Sequence, residues 1–210
     1  MRSGVRIIAV TKGHPVEAVK AAIAVGLTEC GENRVAELSD KVETLGRHAA
    51  HWHLIGHLQR NKVKQAIELF DLVHSIDSVR LARELSDEAV KAGIKIRGLI
   101  QVNASGEETK GGIDVHDDIS EAAFKAVQEI VELPNVEVHG LMTMAPFVDD
   151  VAILRATFSR TRRFLEACAE RFNLAGRELS MGMSNDFEIA VEEGSTMVRL
   201  GTILFGERNK

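Results

Sequence analysis

"VRIIAVTKGHPVEAVKAAIAVG", residues 5–26, decides how the rest of the chain is read. Val5 to Thr11 form a short apolar run rich in β-branched residues, which suits a strand buried on both faces. After a turn at Lys12 to His14, the stretch from Pro15 to Gly26 spaces its apolar side chains for a helix. Pro15 suits the first helical position and Gly26 a helix stop. A strand, a turn and a helix make one βα unit, which buries its strand only in a parallel sheet covered by further helices.

The unit recurs to the end of the chain. Strand-like runs follow at 27–31, 51–56, 71–76, 96–103, 136–144, 177–183 and 197–205, making eight with the first. Helical stretches at 33–46, 61–70, 78–93, 120–134, 151–173 and 186–194 separate them, with Ser78 or Asp77 able to cap one and Asp186 near the start of the last. No Pro-, Gly- or Ser-rich linker interrupts this order. The pattern predicts an α/β fold, a single (β/α)8 TIM-type barrel at the short end of its length range, with residues 1–210 as one domain. The polar segment 103–118 after the fifth strand reads as a loop on the C-terminal face, where barrels carry function.

Composition narrows the function. With 45% apolar and 27% charged residues the chain falls among packed globular proteins. Twenty-six basic against 31 acidic residues give a net charge of −5, which argues against nucleic acid as a partner. Cys30 and Cys168 match no metal-ligand spacing and are too few for a disulfide framework, pointing to a reducing cytoplasm. No apolar run approaches the roughly 20 residues of a membrane span, and the apolar start is too short for a signal peptide. No membrane association is expected.

On a barrel the strand ends become the candidates: Lys12, Glu32, Asn33, His57, Ser75, Asp77, Asn103, Met142 or Met144, Ser184, Gly201 and Thr202. Lys12 directly follows an apolar strand. Partial burial there would disfavour its ammonium form and yield an amine nucleophile toward an aldehyde, against the commoner reading of a solvated loop lysine. Ser184, Gly201 and Thr202 follow the last two strands, where barrels build phosphate sites; plain turn chemistry explains them about as well. Lys12 and these residues together specify an aldehyde and a phosphate.

If Gly201 faces the barrel interior, period-two geometry turns Arg199 inward as well, while Val198 and Leu200 face the helices. A buried arginine needs an acceptor, whether a cofactor ring nitrogen, a phosphate or a carboxylate such as Glu29. His51 and His53 share a strand face, but no third ligand is placed beside them and no metal is expected. Arg60, Lys62 and Lys64 read as a solvated face that can draw an anion toward the mouth.

The motifs "AVTK" (9–12), "GENRV" (31–35), "WHLIGHLQRNK" (52–62), "HSID" (74–77), "QVN" (101–103), "KGGI" (110–113), "HGLMTM" (139–144), "LSMGMSND" (179–186) and "GSTMVRLGTILFG" (194–206) carry a resemblance along essentially the whole chain. In this order they resemble the pyridoxal phosphate homeostasis proteins. The resemblance implies a barrel of the alanine racemase N-terminal type that holds pyridoxal 5′-phosphate (PLP) as a Schiff base on Lys12. It places Ser184, Gly201 and Thr202 at the phosphate, Arg199 near the pyridine nitrogen, Asn33 beside the cofactor and Met142 against the ring, and gives Lys110 a part in PLP handling. It further implies a role in vitamin B6 homeostasis and PLP carriage, with indirect effects on amino-acid metabolism, in a cytoplasmic monomer that has PLP-dependent apo-enzymes as candidate partners. The resemblance also implies a helix before the first strand, and with so few residues ahead of Val5 that helix is expected to be missing from the sequence as given.

Such a protein is expected to bind without turnover. An arginine at the ring nitrogen discourages its protonation and weakens the ring as an electron sink. The competing reading is a PLP-dependent racemase or related amino-acid enzyme on the same barrel. Racemases of this type use a tyrosine as second base and an extra β domain. The chain has no tyrosine and no residues for that domain, and nothing places His57 or Cys30 as a substitute. A third reading, a sugar-phosphate enzyme using Lys12 as an aldolase-like amine, lacks a paired carboxylate near Lys12.

Overall fold

The computed structural model describes residues 4–107, 109–117 and 119–207. Eight strands close into a parallel barrel. They are β1 (Arg6–Val10), β2 (Glu29–Glu32), β3 (His51–Leu54), β4 (Leu72–Ile76), β5 (Ile96–Asn103), β7 (Val136–Met142), β8 (Glu178–Met183) and β9 (Met197–Leu200). Each pairs with the next, β4 pairs with β5, and β9 closes on β1 with Ile8 opposite Arg199. A two-residue strand, β6 (Ile113–Asp114), adds to the end of β5 and had no counterpart in the sequence reading, where it fell inside the polar loop. Of that loop, Glu108 and Asp118 lie outside the described residues, as do residues 1–3 and 208–210 of the anticipated domain.

The helices α1 (Val16–Ala24), α2 (Val35–Leu45), α3 (Val63–Leu69), α4 (Val79–Ala92), α5 (Glu121–Val131), α6 (Val151–Arg171), α7 (Phe187–Glu192) and α8 (Thr202–Phe205) follow the strands in turn. A 3-10 turn at Arg60–Lys62 leads into α3. The main core lies between strands and helices, where Trp52, Leu85, Phe158 and Phe164 are fully buried. A smaller cluster of strand residues, Ile8, Leu72, Leu99, Met142 and Met197, forms an apolar layer inside the barrel.

Local signals position the ends of these elements. Ser78 caps α4 by accepting a bond from the Leu81 amide, and Asp150 caps α6. Pro15 stands one residue before the first helical position of α1, not on it. The last strand is shorter than its apolar run suggests. Residues 197–205 were read as one strand, but β1 offers no partner past Ala9 opposite Leu200, so the ladder ends there. The chain turns at Gly201 into α8, whose Ile203 and Leu204 are exposed.

Candidate functional site

All eight barrel strands run the same way, so their C-terminal ends gather at one face. A cavity of about 400 Å³ opens there. Among the residues singled out in the sequence, Lys12, Asn33, Ser184, Arg199, Gly201 and Thr202 line it together. They come from the ends of β1, β2, β8 and β9, which are neighbours around the barrel.

Lys12 is half-buried in the turn after β1, and the backbone on both sides of it is held from below. Lys41, on α2, donates from Nζ to the Thr11 carbonyl at 2.8 Å and to Glu32 Oε1 at 2.6 Å. Thr11 Oγ1 donates to the same carboxylate oxygen at 2.5 Å, while the Gly13 amide donates to Glu37. Glu32 is fully buried, and burial pushes its carboxyl above the usual range against the pull of Lys41 and Thr11. Its role is thus beneath the cavity and not on its wall.

Asn33, the next residue, is fixed by close packing. A Cβ on Gly56 would stand 2.6 Å from the Asn33 carbonyl oxygen and 2.8 Å from its Cγ, so only glycine lets the β3 end approach this closely. Gly201 differs: a Cβ there would meet Val10 at an ordinary 3.4 Å. Protein packing does not demand glycine at position 201, and the open space above its backbone belongs to the cavity. Beside it, Ser184 Oγ accepts from the Ile203 amide at 3.4 Å, which joins the β8 end to the β9 end.

Arg199 is 5% exposed and has its acceptors in the barrel wall. Nη1 donates to the carbonyl and to Oγ of Ser180, both at 2.7 Å, and Nη2 donates to the Thr143 carbonyl at 2.9 Å. The anticipated carboxylate alternative does not hold: Glu29 accepts from His53 instead. Burial lowers the guanidinium to about 10, and it remains cationic at neutral pH. Asp186, also on the cavity wall, accepts from the Met183 amide at 2.5 Å, and burial raises its carboxyl.

Two candidates sit elsewhere. Met142 is 1% exposed in the inner apolar layer and does not line the cavity; Met144, two residues on, does. Period-two alternation gives both the same phase, and only the end of β7 at Met142 separates core from wall. Lys110 lies outside the lining but reaches it, donating to the Met144 carbonyl at 3.3 Å while paired with Glu107. Of the other strand-end candidates, Ser75 donates to the Gly56 carbonyl, Asp77 pairs with His57, and Asn103 organises its own loop through Ser105, Gly106 and Glu107. His53 is committed to Glu29 and His74, and among the described residues no group of three potential ligands could hold a metal ion.

Sequence reasoning missed the segment from Ala145 to Asp149, which walls the cavity with Phe147 88% exposed at its mouth. It also missed His14, whose ring packs 5.4 Å from that of Phe205 and ties the first turn to α8. The Pro146 break before a long helix was the available signal for the loop; the His14 contact spans the chain and had none.

The site therefore holds an amine, a buried guanidinium, a hydroxyl–amide pair and accessible glycine backbone around one cavity. These donors fit an elongated ligand with a carbonyl at one end and an anion at the other.

Residues 1–209 match the family described as alanine racemase, N-terminal domain. The pyridoxal phosphate homeostasis protein of Aquifex aeolicus (strain VF5) is 42% identical over 203 residues, covering 97% of this chain and 87% of that protein. The structure of PipY from Synechococcus elongatus PCC7942 with PLP bound superposes with a TM-score of 0.88 at 37% identity, covering 98% of this chain and 94% of that one. An alanine racemase from Clostridium difficile 630 shares the fold at a TM-score of 0.81 and 16% identity; the chain spans 57% of it.

Proposed function

The chain belongs to the alanine racemase N-terminal domain family and to the pyridoxal phosphate homeostasis proteins within it, and from that premise we propose that it binds PLP in the strand-end cavity and acts in PLP homeostasis and carriage. The carrying observation is the convergence of Lys12, Arg199, Ser184 and Thr202 on one cavity. PLP brings an aldehyde, a ring nitrogen and a phosphate, and each has a chemically matched group there. Lys12 would supply the amine that condenses with the aldehyde carbon, one water leaving as the Schiff base forms. Ser184, Thr202 and the backbone at Gly201 hold the phosphate, and Arg199 faces the pyridine nitrogen. Asn33 sits beside the cofactor, with Met144 in the place that the resemblance assigned to Met142. Lys110 acts from the rim through the Met144 carbonyl. Residues 1–210 work as one binding domain.

Binding without turnover is the reading we favour. An obligate donor at the ring nitrogen leaves PLP a weak electron sink, and the relatives are named for homeostasis rather than for a reaction. Neither second-base candidate helps an enzyme: burial pushes the Cys30 thiol to about 12, and His57 lies outside the cavity lining. The protein is then a cytoplasmic monomer that exchanges PLP with apo-enzymes; among the described residues no helix is long and apolar enough to cross a membrane. The test is the visible spectrum of the purified chain with and without PLP, then borohydride reduction and peptide mapping. A single reduced adduct on Lys12 is expected; label spread over surface lysines would overturn the assignment.

A further inference from the structure

A chain of hydrogen bonds crosses the barrel interior beneath the cavity. Arg199 Nη1 donates to Ser180 Oγ at 2.7 Å, and Ser180 Oγ lies 2.8 Å from His74 Nδ1. His74 Nε2 is 2.8 Å from His53 Nδ1, and His53 Nε2 is 2.5 Å from Glu29 Oε2. Ser180 and His74 are fully buried and His53 is 2% exposed. Glu29 is the first residue of β2, so the chain ends at the face of the barrel opposite the cavity, where the carboxylate is partly exposed.

Proton positions along this chain follow from its two ends. Arginine can only donate, and the Glu29 carboxylate accepts. With one proton on each imidazole between them, Ser180 Oγ accepts from Arg199 and gives its own proton to His74 Nδ1. His74 must then carry its proton on Nε2 and donate to His53 Nδ1, which leaves the His53 proton on Nε2, facing Glu29. Every donor and acceptor is satisfied with both imidazoles neutral. Burial above all, with the guanidinium groups of Arg199 and Arg6 nearby, holds the His74 imidazole well below the usual histidine range.

This arrangement replaces apolar filling in a barrel interior, where close-packed aliphatic side chains are the ordinary solution. Polar groups so placed are often neutral or costly for stability relative to apolar packing. We propose that Glu29, His53, His74 and Ser180 form a positioning relay that fixes the guanidinium of Arg199 and transmits the charge state of the opposite barrel face to the group Arg199 addresses. The inference rests on the PLP reading for what Arg199 addresses, and on geometry alone for the relay. Other titratable groups near its ends are Arg6 of β1, His51 of β3, Cys30 of β2 and Glu178 of β8, which pairs with Arg6; Asp186 acts on Arg199.

Glu29→Gln removes the distal charge while keeping an acceptor for His53. Ser180→Ala cuts the chain next to Arg199, whose Nη1 retains the Ser180 carbonyl. The full chain is first studied by 15N NMR without PLP. His74 is expected to carry its proton on Nε2 alone between pH 6 and 8, and Glu29→Gln to move the Arg199 side-chain resonances only when Ser180 is present. A proton on His74 Nδ1, or equal Arg199 shifts with and without Ser180, overturns the relay. In the PLP-loaded chain, Glu29→Gln removes the negative charge at the far end of the relay and lowers the pH midpoint of the Lys12-linked absorption band, with about a twofold change in the ratio of its two forms. Ser180→Ala should abolish that response; a response of equal size in both backgrounds is plain through-space electrostatics and also overturns the relay. If no Lys12-linked band forms in the unmodified chain, the cofactor reading fails, and the resonances without PLP still decide the relay.

Discussion

Lys41 Nζ lies 2.8 Å from the carbonyl oxygen of Thr11 and fastens α2 to the turn that carries Lys12. The same ammonium neutralises Glu32, and Glu37 takes the Gly13 amide on the far side of Lys12. Lys12 thus lines the cavity from a backbone gripped at both neighbours.

Replacing Lys41 with methionine keeps most of its volume but strands a fully buried carboxylate. A loss of about 3–5 kcal/mol is expected, because removing one partner of a buried pair leaves the other uncompensated. Urea unfolding followed through Trp52, the sole tryptophan and fully buried, measures it. A loss below 1 kcal/mol would show that Glu32 is held neutral without Lys41.

Lys12→Ala should remove the borohydride-reducible PLP adduct while leaving stability within about 1 kcal/mol, since the side chain is only half-buried and fills no core volume. The far-ultraviolet spectrum and the intact mass after reduction report both halves. An adduct that persists in full would move the site to another lysine.

Ser184→Ala combined with Thr202→Ala should weaken PLP retention about tenfold or more and leave pyridoxal, which lacks the phosphate, nearly unaffected. Equilibrium dialysis of both ligands separates the cases. Equal losses would mean that these hydroxyls do not meet the phosphate.

Acid should destabilise the protein through His74. Its folded value is depressed, so below about pH 6.5 the unfolded chain takes up a proton that the folded one refuses. More protons bound in the unfolded state means stability that rises with pH through this window and falls on acidification. Thermal midpoints from pH 7.5 to 5 should decline, and His74→Gln should flatten the decline. Parallel profiles would remove His74 as the cause.

Gly56→Ala should cost about 1–3 kcal/mol, because its methyl group would collide with the Asn33 backbone, and overpacked sites relax only by shifting neighbours. Asn33 is displaced with it, so PLP affinity should fall in the same variant. Unchanged stability and affinity would show that the β3 end yields freely.

Much of this was legible beforehand. Eight apolar runs separated by amphipathic stretches specify a closed parallel barrel because each strand must be covered on both faces, and that constraint acts on local pattern alone. Strand-end logic then selects Lys12, Ser184, Gly201 and Thr202, since closure brings every C-terminal end to one face. Inward-facing Arg199 followed from alternation along a single strand.

What the tertiary structure alone decided depends on groups distant in sequence. Alternation could not separate Met142 from Met144, because the wall begins where β7 ends, and that is set by its neighbours. Nor could it choose Arg199's acceptors: Ser180 and Thr143 reach it only across β8 and β7, while Glu29 turns to His53. A residue's own pattern fixes which way it points. What it meets there is fixed by barrel closure and by register between strands far apart in the chain, and so the cavity and the polar chain beneath it emerge only in three dimensions.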